Sequence, residues 1–337
     1  MAFLKEIFRE TQMVVSKGLF ELVIPPIKLK EVQDASLQKG YGLERLGRWG
    51  GAAREFYTLS VSSENPKDRL DGLVNLSQML INLGRFSQAK KFIKSGEVEL
   101  QSLPERELFY YRARFFEKEG WIADYERDFK NAVDLFNSAR RIVFRNDRTN
   151  EEEKLFSTTT HFLGRAHIGL AIQGVNSNSN YIYSLGYFKE DLERYQSLRK
   201  EGNPDPQGEG LQHAWMAVCF MTVNHLSSAE ESIDRAGELF QESIKNSNPP
   251  DVMAHYHCLK GGLYLKRSLV KEARSEFNKA WLIRKAGVKY PKGEADAAIG
   301  IAVSFWMERN IKEASKWFTR AVKLYPLTLL RVRTFIA

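Results

Sequence analysis

The chain has 337 residues, of which 43% are hydrophobic and 27% are charged, and its formal net charge at pH 7 is +8. This hydrophobic content excludes a wholly disordered chain. No apolar run reaches the roughly 18 to 20 residues that a membrane-spanning helix needs, and two cysteines are too few for a disulfide framework. The composition therefore predicts a folded protein without a membrane span, located in a reducing cytoplasm.

The net charge is concentrated at the C-terminal end of the sequence. From Lys271 onward there are 14 Lys and Arg against 6 Asp and Glu, whereas the part of the chain before Lys271 balances to zero. A basic end favours an acidic partner, although an ordinary solvated helical face has the same composition. The cations that would contact such a partner are Lys271, Arg274, Lys279, Arg284, Lys285, Lys289 and Lys292.

Residues 1–32 are predicted to form an N-terminal amphipathic helix followed by a linker. Apolar side chains recur at helical spacing between residues 2 and 23, and Pro25 with Pro26 ends the pattern. Such a helix could dock on a membrane or a partner. A stack of helical repeats needs a cap on its first unit, and we expect that capping role here.

The rest of the sequence repeats one order of small and aromatic residues. In the last copy, residues 294–326, Ala302 and Phe305 lie on a first helix, while Ala314 and Phe318 lie on a second. Small residues let two antiparallel helices approach closely, and phenylalanines fill the space between them. This order resembles the tetratricopeptide repeat (TPR), a helix–turn–helix unit of about 34 residues that stacks into a solenoid.

One alanine near the start of the second helix marks each copy. This marker alanine recurs as Ala52, Ala89, Ala132, Ala229, Ala273 and Ala314. The successive spacings are 37, 43, 97, 44 and 41, so the longest interval has room for one degraded or two compact units. The resemblance implies an all-α, right-handed α-solenoid of about six to seven TPR-like hairpins at 33–328, followed by an apolar tail at 329–337.

The repeat pattern is weakest at residues 150–205. One hairpin is predicted there, with a first helix at 156–172 and a second at 187–200. The polar segments 174–180 and 202–210 are rich in Asn, Ser, Gly and Pro, and both are predicted to be loops.

Motifs that indicate catalysis are largely absent from the sequence. It contains no GxxxxGK[ST], HExxH, CxxC or GxSxG pattern. His255, His257 and Cys258 form a cluster, but residues two apart on a helix point in roughly opposite directions, so no shared metal ion is expected. The sequence therefore predicts a protein that is not an enzyme and holds no metal or cofactor.

The resemblance also implies a function and a set of contact residues. TPR proteins are usually interaction scaffolds, in which the first helices line a concave groove that holds a peptide or a partner helix. Amides suit an extended peptide backbone, whereas tryptophan and methionine suit an apolar anchor, although these aromatic residues could equally belong to the core. The groove residues implied by the repeat register are Tyr41, Arg45, Asn75, Gln78, Asn82, Trp215, Met221, Leu265 and Trp306.

Several functions fit this prediction. The first is an interaction scaffold or adaptor for a peptide or helix of a partner protein. The second is a ligand- or peptide-sensing regulatory subunit of a bacterial signalling or transcription-control system, since such sensor arrays have similarly extended repeats. The third is nucleic-acid binding through the basic C-terminal end, which lacks an aromatic stacking platform. The termini could also join two copies of the chain.

One specific TPR function is not expected. Chaperone-binding members hold a terminal carboxylate with matched lysines and asparagines. Here Asn75 and Asn82 have no lysines at the corresponding places of adjacent repeats in the predicted alignment. The sequence therefore does not predict a receptor for chaperone tails.

Overall fold

The computed structural model describes residues 27–144, 147–246, 252–287 and 291–325. Those residues form fourteen α-helices and one short 3-10 turn, with no strand among them, so the predicted all-α fold is confirmed. The predicted N-terminal helix, the apolar tail and Lys289 lie outside the described residues.

The chain divides into two compact units, one ending at Ile122 and the other beginning at Ala123. The first unit contains two helical hairpins and most of a fifth helix: α1 (Leu37–Arg45) with α2 (Trp49–Ser62), α3 (Pro66–Asn82) with α4 (Phe86–Glu99), and α5 (Glu105–Glu126), whose last residues belong to the second unit.

The second unit begins with α6 (Phe129–Val143) and continues as four hairpins. These are α7 (Asn150–Ile172) with α8 (Ser177–Lys200), α9 (Pro206–Thr222) with α10 (Leu226–Lys245), α11 (Val252–Lys266) with α12 (Val270–Ala286), and α13 (Pro291–Met307) with α14 (Ile311–Leu324). First helices carry odd numbers and second helices carry even numbers.

One turn geometry precedes most second helices. Five residues before each marker alanine, the backbone adopts φ between +60° and +72°, at Gly47, Gly84, Arg127, Asn224, Ser268 and Arg309. The next N–H then bonds to the carbonyl five residues back, as from Arg48 to Leu43 at 2.8 Å. This bond satisfies a carbonyl that the helix end would otherwise leave without a donor.

Neighbouring helices approach closely where a glycine or alanine on one helix packs against a phenylalanine on another. Phe277 of α12 is fully buried, and a Cβ atom added to Gly261 of α11 would lie 2.8 Å from its ring. On its other side the same ring meets Gly300 of α13. Phe277 therefore packs between the first helices of two neighbouring hairpins, and the marker alanines Ala273 and Ala314 are also buried.

The weakly patterned segment forms a complete hairpin with long helices. Helices α7 and α8 have 23 and 24 residues, and α8 begins at Ser177. The loop predicted at 174–180 is therefore wrong beyond Asn176. Asn180 takes the place of the marker alanine, where its Oδ1 lies 2.6 Å from His167 Nδ1 and its Nδ2 donates to the Val175 carbonyl. These bonds let a polar residue occupy a buried helix contact.

The loop predicted at 202–210 is also shorter than expected. Helix α9 begins at Pro206, because proline at the first helical position lacks only an N–H that the helix would leave unbonded. Asp205 caps this helix by accepting from the Gly208 N–H at 2.8 Å. Gly210 lies inside this helix and against Phe240. A larger side chain at this position would collide with the Phe240 ring, which explains why a glycine occurs within the helix.

Candidate functional site

Polar side chains from α1, α3 and α5 meet in the first unit. Asn75 of α3 donates from Nδ2 to Tyr41 Oη at 3.0 Å and to the Asp71 carbonyl at 2.8 Å. Its Oδ1 accepts from Arg114 of α5 at 3.4 Å. Both amide hydrogens and the carbonyl of Asn75 are thus engaged, and this residue links three first helices.

An ion pair lies beside that link. Arg114 Nη1 is 2.6 Å from Asp71 Oδ1, and both side chains are mostly buried. Arg114 precedes Ala132 by the same interval that separates Asp71 from Ala89. The repeat register therefore places these opposite charges side by side, and it is the signal that would have identified Arg114 from the sequence.

Lys118 is a second cation absent from the predicted contact residues. It precedes Ala132 by the same interval that separates Asn75 from Ala89, so the statement that no lysine corresponds to Asn75 is wrong. Its Nζ lies 2.9 Å from Glu117 and 4.8 Å from the centre of the Trp121 ring. Burial lowers the pKa of Lys118, although the charge of Glu117 opposes that change.

Gln78 carries an unsatisfied group. Its Nε2 donates to Asn82 Oδ1 at 3.2 Å, whereas its Oε1 is buried without a hydrogen-bond partner among the described residues. The whole residue is only 8% exposed. Exchanging the amide oxygen and nitrogen of Gln78 would still leave one buried polar atom unbonded. A buried polar atom of this kind costs about 1–3 kcal/mol, so few remain in native structures.

These residues form one surface of the first unit, which we call the first-unit polar surface. It consists of Tyr41, Glu44, Asp71, Asn75, Gln78, Asn82, Arg114 and Lys118. Glu44 lies on α1 with Tyr41, and burial raises the pKa of its carboxyl, an effect that the charges of Lys118 and Arg45 oppose. The predicted groove residue Arg45 is exposed at the last position of α1.

The predicted apolar groove residues lie in the second unit. Trp215 of α9 is half-buried, with its ring centre 6.0 Å from Phe188 and 5.7 Å from His161. The guanidinium of Arg165 lies over the Trp215 ring at 5.1 Å. Trp215 therefore packs against α7 and α8, the hairpin that precedes its own. The half-buried residues Met221, Leu265 and Trp306 lie near the C-terminal ends of α9, α11 and α13.

An uncharged histidine adjoins Trp215. His161 Nδ1 is 3.4 Å from Gln212 Oε1, and burial lowers the pKa of His161 to about 3, with the charge of Arg165 adding to the effect. Arg165 itself pairs with Asp124 at 3.0 Å. The ring of His161 is thus neutral at pH 7 and acts as one more member of the aromatic packing.

The predicted basic end is divided among several environments. Arg274 pairs with Glu308 and stacks on Phe305 at 3.9 Å, and Lys279 Nζ is 2.6 Å from Glu276. Lys292 Nζ is 3.4 Å from Tyr125 Oη, Arg284 is half-buried, and Lys271 and Lys285 are exposed. Within the described residues, Arg274, Lys279 and Lys292 therefore each contact another side chain of the chain.

The histidine cluster splits between two neighbours. His257 Nδ1 is 2.6 Å from Glu276, while the His255 ring lies against Phe240 at 6.4 Å between centres. In the part of the chain that the structure describes, no three His, Cys, Asp or Glu side chains are placed to hold a metal ion. None of the described helices is long and apolar enough to cross a membrane.

Comparison with known proteins identifies the fold. No family model and no characterised protein sequence matches the chain. Among solved structures, it is similar to a Rap protein complexed with Competence and Sporulation Factor, with a TM-score of 0.58 and 18% identity over 86% of this chain and 75% of that one. It is also similar to NprR in complex with its cognate peptide NprX, with a TM-score of 0.53 and 13% identity over 91% and 86% of the two chains.

A third similar structure is a Signal Transduction ATPase with Numerous Domains from Pyrococcus horikoshii, which has a tetratricopeptide repeat sensor. The TM-score is 0.54 at 11% identity, and the match covers 89% of this chain and 44% of that one. Similarity at such identities concerns the fold. By its fold, this chain is an all-α protein of successive helical hairpins, similar to those three structures.

Proposed function

We propose that the chain is a non-enzymatic interaction protein that binds an extended peptide on the first-unit polar surface. The observation that carries this proposal is the buried Gln78 Oε1, which has no donor among the described residues. An extended peptide offers unpaired backbone N–H and C=O groups at regular intervals, and one N–H would complete the bonding of Gln78. Asn75 would position the surface, since its own amide already links α1, α3 and α5.

The charge balance of the surface supports a peptide over a polyanion. Asp71 is paired with Arg114, and Glu117 is paired with Lys118. Nucleic-acid binding depends on cations that neutralise phosphates, and its affinity falls steeply with salt. A surface with paired charges instead favours recognition through hydrogen bonds.

The specific form of the proposal is a peptide-sensing regulatory subunit, and the general form is an adaptor for a partner protein. The sensing form is supported by NprR, a protein of similar fold that was solved with its cognate peptide. A cytoplasmic location is part of the proposal, because Cys219 and Cys258 are both free thiols.

The test begins with a ligand found without prior assumption. A phage-displayed library of random peptides is selected on the full chain, and the selected peptides are titrated by calorimetry into wild type and Gln78→Met. Methionine keeps the volume of glutamine but cannot accept the N–H, so we expect the affinity to fall about tenfold.

The matched control is Gln101→Met, which changes an exposed glutamine of the same unit and should leave the affinity unchanged. Circular dichroism confirms that both variants fold. Selected peptides that bind Gln78→Met as tightly as wild type, or a selection that yields no peptide, would contradict the proposal.

A further inference from the structure

A segment that is neither helix nor strand lies against α2 and α4 in the first unit. It consists of residues 27–33, and we call it the strap. Its apolar residues Ile27, Leu29 and Val32 are half-buried, whereas its two lysines are exposed. Exposure that alternates in this way is typical of an extended segment with one side packed against the protein. The strap is therefore a peptide of the chain itself, seated on second helices.

Side chains of both helices hold the backbone of the strap. Gln88 of α4 accepts the Ile27 N–H on its Oε1 at 3.0 Å and donates from its Nε2 to the Ile27 carbonyl at 3.2 Å. Thr58 of α2 accepts the Val32 N–H at 2.9 Å. A Cβ atom added to Gly50 of α2 would lie 3.5 Å from Ile27 Cδ1. Because the hydrogen bonds are made to peptide groups, another extended segment can form them equally well.

One acceptor beside the strap is not used. Glu55 of α2 lies one turn before Thr58 and is only 3% exposed. Its Oε1 is 3.2 Å from Lys39 Nζ, whereas its buried Oε2 has no hydrogen-bond partner in the described part of the chain. The same Lys39 Nζ lies 3.5 Å from the Gln33 carbonyl, so the Glu55 carboxylate is close to the end of the strap. Native proteins bond nearly all of their buried polar atoms, so this oxygen indicates a missing donor.

The connection between the strap and α1 favours release. Asp34, directly after the strap, adopts φ +52°, a left-handed conformation that costs free energy in a residue with a Cβ atom. The bonds from Gln88 and Thr58 to the strap come from side chains, so the strap can leave without breaking the backbone bonds of a helix. Release is therefore a local opening of the first unit, and it frees Asp34 to relax.

We propose that the surface of α2 and α4 beneath the strap is a second peptide-binding surface, which the strap occupies in place of a partner. The partner is an extended segment with apolar residues at alternate positions and a basic residue opposite Glu55. Its backbone forms the bonds that the strap now makes, and its basic side chain supplies the donor that Glu55 Oε2 lacks. This charge-assisted bond is the advantage that lets a free segment compete with a tethered one.

The proposal is independent of the first-unit polar surface, because none of the strap-binding residues belongs to it. The test uses the full-length ¹⁵N-labelled chain and two unlabelled synthetic peptides. One has the sequence of residues 27–36, and the other is the same peptide with Gln33→Arg. An arginine there can reach Glu55, since one ammonium group, Lys39 Nζ, already lies within 3.5 Å of both Glu55 and the Gln33 carbonyl.

We expect the Gln33→Arg peptide to displace the strap. The ¹H–¹⁵N signals of Ile27 and Val32 in the labelled chain should shift and saturate as this peptide is added, because their amides lose the bonds to Gln88 and Thr58. The unsubstituted peptide should bind at least about tenfold more weakly, since it offers no donor to Glu55.

The variant Glu55→Met keeps most of the side-chain volume but removes the acceptor, so the two peptides should bind it equally. Glu64→Met changes an exposed glutamate of the same unit and should preserve the tenfold difference. Circular dichroism checks that both variants fold, and if Glu55→Met does not, the comparison of the two peptides on wild type decides. Strap signals that neither peptide moves, equal affinity of the peptides for wild type, or a difference that Glu55→Met leaves intact would overturn the proposal.

Discussion

At the scale of single residues, the chain places several ionisable groups where burial decides their charge. His161 and His255 are both held neutral, with pKa values lowered to about 3 and about 4. An unfolded histidine has a pKa near 6.5, so the unfolded chain takes up protons at a higher pH than the folded chain does. The contribution of these neutral histidines to the free energy of unfolding is therefore complete above about pH 6.5. It is lost as the pH falls from about 6.5 towards the lowered pKa values of the folded chain.

This difference predicts acid-sensitive stability. Each such histidine lowers the free energy of unfolding by up to about 1.4 kcal/mol per pH unit below 6.5. His161→Gln keeps a polar group beside Gln212 but cannot be protonated, so its stability should fall less steeply between pH 6.5 and pH 5. Urea denaturation at both pH values measures the change. His225→Gln, at an exposed histidine, should match wild type, and an equal slope for His161→Gln and wild type would contradict the argument.

At the scale of secondary-structure elements, repeat register predicted most of the hairpins. The marker alanines located α2, α4, α6, α10, α12 and α14, because only a small residue lets paired helices approach at that point. The same reasoning failed for α8. There Asn180 replaces the alanine, with its polar atoms bonded to His167 and Val175, and a second left-handed residue, Asn176, lengthens the turn. These two hydrogen bonds of Asn180 cannot be predicted from the spacing of residues in the sequence.

The candidate site shows the same limit. Register predicts Asn75, Gln78 and Asn82 as groove residues, since their spacing before Ala89 is fixed by one regular hairpin. It did not identify which amide is already bonded. That distinction depends on Tyr41 and Arg114, which approach Asn75 only after three helices have packed.

The recurring turn allows a prediction for one element. Ser268 adopts φ +61° in an exposed turn between α11 and α12, a conformation that strains residues with a Cβ atom. Ser268→Gly relieves this strain at some entropic cost, so we expect a gain of about 0.5–1 kcal/mol and a melting temperature higher by about 1 to 4 °C in calorimetry. Gly84→Ala introduces the strain at φ +72° and should lower stability instead. A gain from both substitutions would show that this backbone geometry does not control stability.

At the scale of the whole molecule, a repeat array is stabilised mainly by contacts within and between neighbouring hairpins. A local defect should therefore loosen nearby helices and leave distant ones closed. Phe277 provides the place to create such a defect, because its fully buried ring lies between Gly261 of α11 and Gly300 of α13. The adjacent residue Gly262 offers a matched position, since a Cβ atom there would meet only Met221 Sδ among the described residues, at 3.9 Å.

Gly261→Ala should cost about 1–3 kcal/mol through overpacking against Phe277. Amide hydrogen exchange in α11 to α14 should then accelerate about 5- to 150-fold, with exchange in α1 to α4 unchanged. Gly262→Ala lies one residue away and replaces a helical glycine without a clash, so it should slow exchange in α11 slightly. Hydrogen–deuterium exchange mass spectrometry of the three chains measures all of these effects. Faster exchange along the entire chain of Gly261→Ala would mean that both units open together, because a purely local defect could not reach α1 to α4.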